Sequence, residues 1–279
     1  MKRCAVCSAP SSRPPRTAMP KIGVLDSGVG GLSVLREIHR ILPQHSTIYY
    51  ADQAHVPYGT RPHVEIDSFV DSITRFLIGQ GADVIVLACH AASAASLRLL
   101  RERYPHVPFV GLEPAIKPAV LNTQSGVVGV LTTQATADGA LYQRLLHRYG
   151  RMARVITRPA PELVTLVEAG TIAGSAAHSA VSQYLEPLLQ AGADQIVLAC
   201  THFPFLADVI RDVAGSTALP VDPGAAVARQ VRRVLPDRRD AGRPSQRYLT
   251  SADAGDFARI ASGLMGAEVI AETVCYRAD

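Results

Sequence analysis

The chain has no tryptophan, and only 5% of its 279 residues are aromatic. Lysine is almost missing: Lys2, Lys21 and Lys117 stand against 25 arginines. A pyridoxal-phosphate enzyme needs a Schiff-base lysine. Lys2 lies in the N-terminal segment, Lys21 opens a strand at its distal end, and Lys117 sits between Pro114 and Pro118 with no recognisable phosphate cup. The scarcity argues for chemistry without a cofactor. No apolar run approaches the ~20 residues of a membrane span. Five cysteines, an odd number, make no disulfide framework and point to a reduced, cytoplasmic protein. The net charge of +4 is mild and implies no nucleic-acid partner. Arginines between 229 and 243 alternate with Asp237 and Asp240, the pattern of a solvated helix end and loop.

What is present is core-forming material. Hydrophobic residues make up 48% of a length beyond the usual single core, so two domains are expected. One ten-residue stretch occurs twice, as Ala82-Asp83-Val84-Ile85-Val86-Leu87-Ala88-Cys89-His90-Ala91 and as Ala193-Asp194-Gln195-Ile196-Val197-Leu198-Ala199-Cys200-Thr201-His202. Each copy is a β-branched apolar run that stops at a cysteine, as a parallel strand covered on both faces would. Small or helix-forming residues follow, so each cysteine is expected at a strand-to-helix turn. Ligands of open α/β sheets bind outside the carboxyl ends of the strands. Cysteine is also a common packing residue, but a matched pair at matched turns favours two thiols at one cleft.

Residues 1–20 contain Cys4, Cys7, several prolines and no apolar signal region, so a mobile extension is expected, with Met19 a candidate start. Cys4-x-x-Cys7 is half of a zinc spacing with no second pair nearby, and no metal is assigned. Lys21–Asp26 is a strand, Ser27-Gly28-Val29-Gly30-Gly31 a tight turn, and Leu32–Leu42 a helix. The turn lacks the third glycine of a dinucleotide site and the Gly-Lys-Ser/Thr of a P-loop. It presents Asp26 and Ser27 at a strand end, beside backbone N–H groups suited to a carboxylate. Asp26 could equally serve as a helix cap. Thr47–Ala51 is a strand, and the eleven-residue loop 52–62 holds Tyr58 between Pro57 and Gly59. Helices over 66–80 and 91–104 flank the first repeat copy, and 107–112 is a strand. A second series follows, with strands at 125–131, 154–157 and 219–221, helices at 138–149, 176–191, 205–213 and 224–235, and a segment 161–169 that carries Glu168 near a Gly170 stop. A strand at 247–251, a helix at 254–264 and an edge segment at 268–274 close the chain. Alternating strands and helices argue for α/β architecture with mainly parallel sheets. The expected partition is 21–114 plus 223–279 for one domain and 115–222 for the other.

Two facing thiols suit inversion of a carbon centre that bears an acidic hydrogen. One group removes the proton from one face while the other delivers a proton to the opposite face. Each must act as acid in one direction and base in the other, which a thiol of pKa ~8.5 can do. A positive partner or helix N-terminus would help the thiolate form. Asp26, Glu168 and His202 are candidates for orienting the thiols or relaying protons, although His202 alone is as compatible with a structural histidine.

The segments IGVLDSGVGGLSVL, VPYGTRP, VLACHAASAA, VGLEPAIKPA, LVEAG, VLACTHFPFL and VDPGAAVA resemble the glutamate racemases of the aspartate/glutamate racemase superfamily, over about residues 21 to 270. The resemblance implies two α/β domains related by a pseudo-twofold axis, with the active site in the cleft between them. It implies cofactor-independent interconversion of L- and D-glutamate, supplying D-glutamate for peptidoglycan. By that match Cys89 acts on D-glutamate and Cys200 on L-glutamate, while Asp26, Ser27, Tyr58, Gly59, Thr201 and His202 contact substrate or tune the thiols. Glu168 matches a position near the second cysteine. One departure stands out. The family pattern after the first cysteine is Asn-Thr, and both residues bind the amino acid; here the pair is His90-Ala91. Ser93 is the candidate to replace the lost hydroxyl, and a protonated His90 would support a Cys89 thiolate. The competing readings are a superfamily racemase for another small acid and a catalytically weakened regulatory binding protein. The expected partner is a small-molecule substrate rather than nucleic acid or membrane, with a homodimer as the candidate assembly.

Overall fold

The computed structural model describes residues 19–238 and 243–275. The expectations for Cys4, Cys7 and the rest of residues 1–18, and for residues 239–242 of the arginine-containing stretch 229–243, lie outside the described residues. Pro20, which the sequence reading assigned to the extension, is buried, and His45 Nδ1 lies 3.2 Å from its carbonyl oxygen.

The strands, in chain order, are β1 Ile22–Asp26, β2 Thr47–Ala51, β3 Val84–Leu87, β4 Phe109–Gly111, β5 Val127–Thr132, β6 Arg154–Pro159, β7 Gln195–Ala199, β8 Leu219–Val221, β9 Gln246–Thr250 and β10 Ala271–Thr273. They form two sheets, β10-β9-β2-β1-β3-β4 and β6-β5-β7-β8. Every strand pairing is parallel. The α/β architecture expected from the alternation is therefore the one observed. Strands β1, β2, β3 and β7 are buried throughout, as continuous apolar runs covered by helices require.

The internal repeat is also a repeat of topology. The order β2-β1-β3-β4 of the first sheet recurs as β6-β5-β7-β8 in the second. Leu87 pairs with Leu25 and Leu198 with Leu131, so the two sheets share register at their carboxyl ends. The repeated Ala-Asp has a structural cause. Asp83 accepts a hydrogen bond from the Lys21 N–H just before β1. Asp194 accepts from the Gln124 and Ser125 N–H groups just before β5. Each aspartate thus fixes the entry of the neighbouring strand.

Several boundaries differ from the sequence reading. The helix expected at 138–149 is two helices, Gln134–Asp138 and Ala140–Tyr149, separated by Gly139 in an extended conformation. Thr133 caps the first of them by accepting from the Thr136 N–H. Ile116–Asn122 is a short helix that the sequence reading left unassigned; Pro118 near its start obscured it. The helix expected at 205–213 opens as a 3₁₀ turn, Phe203–Leu206, before Ala207–Ala214, because Pro204 fits only a first turn.

Candidate active site

The cleft is built at the carboxyl ends of β1, β3, β5 and β7. Among the residues lining it are Ser27, Tyr58, Gly59, Cys89, His90, Ala91, Cys200, Thr201 and His202. Nine of the twelve sequence-proposed positions thus line it, and Asp26 and Glu168 stand directly behind them, against the turn and His202. Cys89 follows β3 in an extended conformation and caps helix His90–Arg103. Cys200 follows β7 in the equivalent position. Both thiols are buried and free. Larger hollows open elsewhere, lined by Arg144, Arg148 and Arg151 or by Ser175 and His178, but neither contains a thiol.

The two thiols have unlike neighbours. His202 Nδ1 lies 3.5 Å from Cys200 Sγ, and His202 Nε2 lies 2.6 Å from Glu168 Oε1. Glu168 Oε1 also accepts from the Val29 N–H at 2.8 Å. Burial alone would lower the His202 pKa; the Cys200 sulfur and the Glu168 carboxylate outweigh it and hold the imidazole well above its ordinary value. Burial would likewise raise Glu168, yet His202, the Val29 N–H and Gln53 together hold it below the usual carboxylate range. The pair is therefore a buried imidazolium–carboxylate beside Cys200. Around Cys89 the balance differs. Burial and then the Asp26 charge push that thiol well above its ordinary value, opposed by the Ala92 N–H and the Ser27 hydroxyl. Asp26 itself is fully buried; burial raises its pKa to about 6, partly offset by His202 and by the Gly31 and Gly28 N–H groups.

The glycine turn has a different use from the one the sequence suggested. Its N–H groups at Gly28, Val29 and Gly31 are taken by the protein's own carboxylates, Asp26 and Glu168. The glycines are there for close approach. A Cβ on Gly28 would fall 1.9 Å from Glu168 Oε1, and one on Gly30 would fall 2.5 Å from His202 Nδ1. The other half of the molecule packs flush against this turn. Asp26 is not a helix cap: the helix Leu32–Ile41 has Gly31 at that position and no side-chain cap.

Two expectations need correction. Ser93 is not brought to the cleft. Its hydroxyl donates to the Leu87 carbonyl and accepts from the Leu112 N–H, tying β3 to the end of β4. His90 is not a cation. Burial lowers its ring to about 3, so the imidazole is neutral and offers no charge to Cys89. Neither ring nitrogen has a hydrogen-bond partner among the described residues. Lys117, which follows a strand end between Pro114 and Pro118, is exposed on its helix and does not line the cleft.

Sequence reasoning missed Thr133, Thr136 and Val164, which also line the cleft. The repeat carried the signal for one of them. With Leu25 and Leu131 in register, Asp26 corresponds to Thr132 and Ser27 to Thr133. The two hydroxyls occupy equivalent strand ends of the two halves. Tyr58, in a 3₁₀ turn, donates its hydroxyl to Asp52 Oδ2 at 2.6 Å. Asp52 also holds His55 and Ser251, so the loop is fixed from beneath.

A family model described as Asp/Glu/Hydantoin racemase matches residues 22–231. A protein of Herpetosiphon aurantiacus named glutamate racemase is 46% identical over 243 residues, covering 86% of this chain and 95% of that protein. The crystal structure of Escherichia coli glutamate racemase, in complex with L-glutamate and the activator UDP-MurNAc-Ala, superposes with a TM-score of 0.83 at 31% identity. It is covered over 100% of its length by 93% of this chain. The Francisella tularensis glutamate racemase, solved in complex with D-glutamate, has a TM-score of 0.79 at 25% identity, with 92% and 97% covered.

Proposed function

Since this chain belongs to the Asp/Glu/hydantoin racemase family, we propose that it is a glutamate racemase that works by two-base proton transfer between Cys89 and Cys200. The observation that carries the mechanism is the pair of free thiols at equivalent strand ends, lining one cleft. Glutamate enters with its α-carbon between the thiols. One sulfur takes the α-proton as the other donates a proton to the opposite face, and reversal of the roles runs the reaction backwards. The carbanion formed between them carries its charge into the α-carboxylate. The N–H and O–H groups left facing the cleft receive the substrate: Ser27 and Thr133 from one pair of strand ends, Thr201 from another. His202, held by Glu168, exchanges a proton with Cys200, and Asp26 serves the Cys89 side through the Ser27 turn.

The same reading places the chain in D-glutamate supply for peptidoglycan, in the cytoplasm. The unpaired thiols Cys89 and Cys200 support a reducing compartment, and no helix among the described residues is long and apolar enough to cross a membrane. A homodimer completes the reading, and sedimentation decides it. The domain partition, 21–114 with 223–279 and then 115–222, is supported by the two sheets drawing their strands from those ranges. The deciding experiment is a coupled D-glutamate assay on purified protein without added cofactor. Absence of turnover in both directions would overturn the proposal. Turnover of another small acid in its place would point to a different substrate within the same family.

A further inference from the structure

Gln53 belongs to neither repeat copy and was not a candidate from the sequence. It lies just past β2, in the first turn of the loop that carries Tyr58. Its side-chain amide bridges two parts of the molecule. Nε2 donates to Glu168 Oε2 at 3.1 Å, and Oε1 accepts from the Thr250 hydroxyl at 3.1 Å. The orientation is fixed by chemistry, because an ionised carboxylate can only accept. Thr250 closes β9, in the same sheet as β2, and its Oγ1 accepts in turn from the Ala252 N–H. Glu168 comes from the helix after β6, in the other half.

The carboxylate of Glu168 is thereby held on both oxygens. Oε1 takes the Val29 N–H and His202; Oε2 takes Gln53. Without Gln53, Oε2 would lose the donor that prevents rotation about the carboxylate axis, and the 2.6 Å contact to His202 would no longer be enforced. We propose that Gln53 is a positioning residue: it locks Glu168 from across the cleft and so sets the orientation of His202 against Cys200. The inference rests on the two-thiol reading for its catalytic consequence, though not for its geometry.

Two variants test it. Gln53→Met keeps length and removes the donor. Gln53→Glu keeps shape and exchanges the donor for a titrating carboxyl. The groups facing this point are Glu168, His202 and, more distantly, Asp26; Asp52 next in sequence is engaged with His55, Tyr58 and Ser251. Gln53→Met should lower kcat about tenfold or more with KM for glutamate nearly unchanged, the loss associated with one hydrogen bond to a charged group. Gln53→Glu should be impaired at neutral pH, where two carboxylates face each other. Its activity relative to the unaltered protein should rise as pH falls, because the protonated acid can donate to Glu168 as the amide did. A purely structural role would give no such pH-dependent recovery. An independent readout is titration of the His202 ring by NMR, which should move to lower pH in Gln53→Met. Unchanged kcat and unchanged His202 titration in Gln53→Met would overturn the inference, as would a flat pH ratio for Gln53→Glu. If the unaltered protein does not racemise glutamate, the proposed function fails instead, and the His202 titration still decides the positioning role.

Discussion

Gly28 and Glu168 meet so closely that the α-carbon of one has no room for a side chain: a Cβ there would overlap the carboxylate at 1.9 Å. The contact joins the turn after β1 to the helix after β6, and so one half of the repeat to the other. Gly28→Ala should therefore displace Glu168 and break its hold on His202. We expect a stability loss of ~1–3 kcal/mol, typical of overpacking, and a fall in kcat of at least about tenfold as the hydrogen bond to His202 is lost. Thermal unfolding and steady-state assays check both; retention of normal values would show that the turn can shift freely.

Cys89→Ala and Cys200→Ala should each abolish racemisation in both directions, since each thiol is needed once as acid and once as base. The loss should reach at least the ~10²–10⁴-fold usual for a positioned acid or base. Product formed in D₂O by the unaltered protein should carry deuterium at the α-carbon. Near-normal turnover in either single variant would exclude the two-base assignment.

Asp26 gives a pH signature. Its folded pKa is raised from 3.8 to about 6, so the native state binds this proton more tightly than the unfolded chain. That contribution is fully present below about pH 4 and is lost as pH rises through about 6. The shift corresponds to about 3 kcal/mol at 1.36 kcal/mol per unit. Asp26→Asn keeps an acceptor for the Gly31 N–H and removes the titration. Relative to the unaltered protein, it should be more stable at pH 7–8 than at pH 4, by ~1–3 kcal/mol. Denaturant unfolding at the two pH values measures this difference and cancels the opposing effects of Glu168 and His202. A pH-independent difference would mean that burial does not govern Asp26.

The His90-Ala91 pair should slow glutamate turnover without preventing it. Ala91 brings no polar side chain to the cleft, and His90 is neutral. A substrate group left short of a partner costs ~1–3 kcal/mol, or about one to two orders of magnitude in kcat/KM. His90→Asn combined with Ala91→Thr should raise kcat/KM for glutamate at least several-fold. A flat or lower value would show that the pair is already suited to its substrate. A gain on glutamate with a loss on another amino acid would make the pair a specificity determinant.

The sequence by itself determined the strand and helix alternation, the parallel sheets and the two thiols at matched turns. These follow from local patterns: apolar runs of strand length, glycine and proline stops, and a repeat whose copies each end at a cysteine. Tertiary structure decided what each polar group near those thiols does. The Ser93 hydroxyl is consumed by Leu87 and Leu112, so it could not substitute for a missing threonine. The charge on His90 depends on how deeply the ring is buried, and that on His202 on a carboxylate 34 positions away. Gln53 acquires its role only because β9 and the helix after β6 bring Thr250 and Glu168 to its two ends. Hydrogen bonds and protonation states are set by neighbours in space within a few ångströms, and spacing along the chain carries no record of which neighbours those will be.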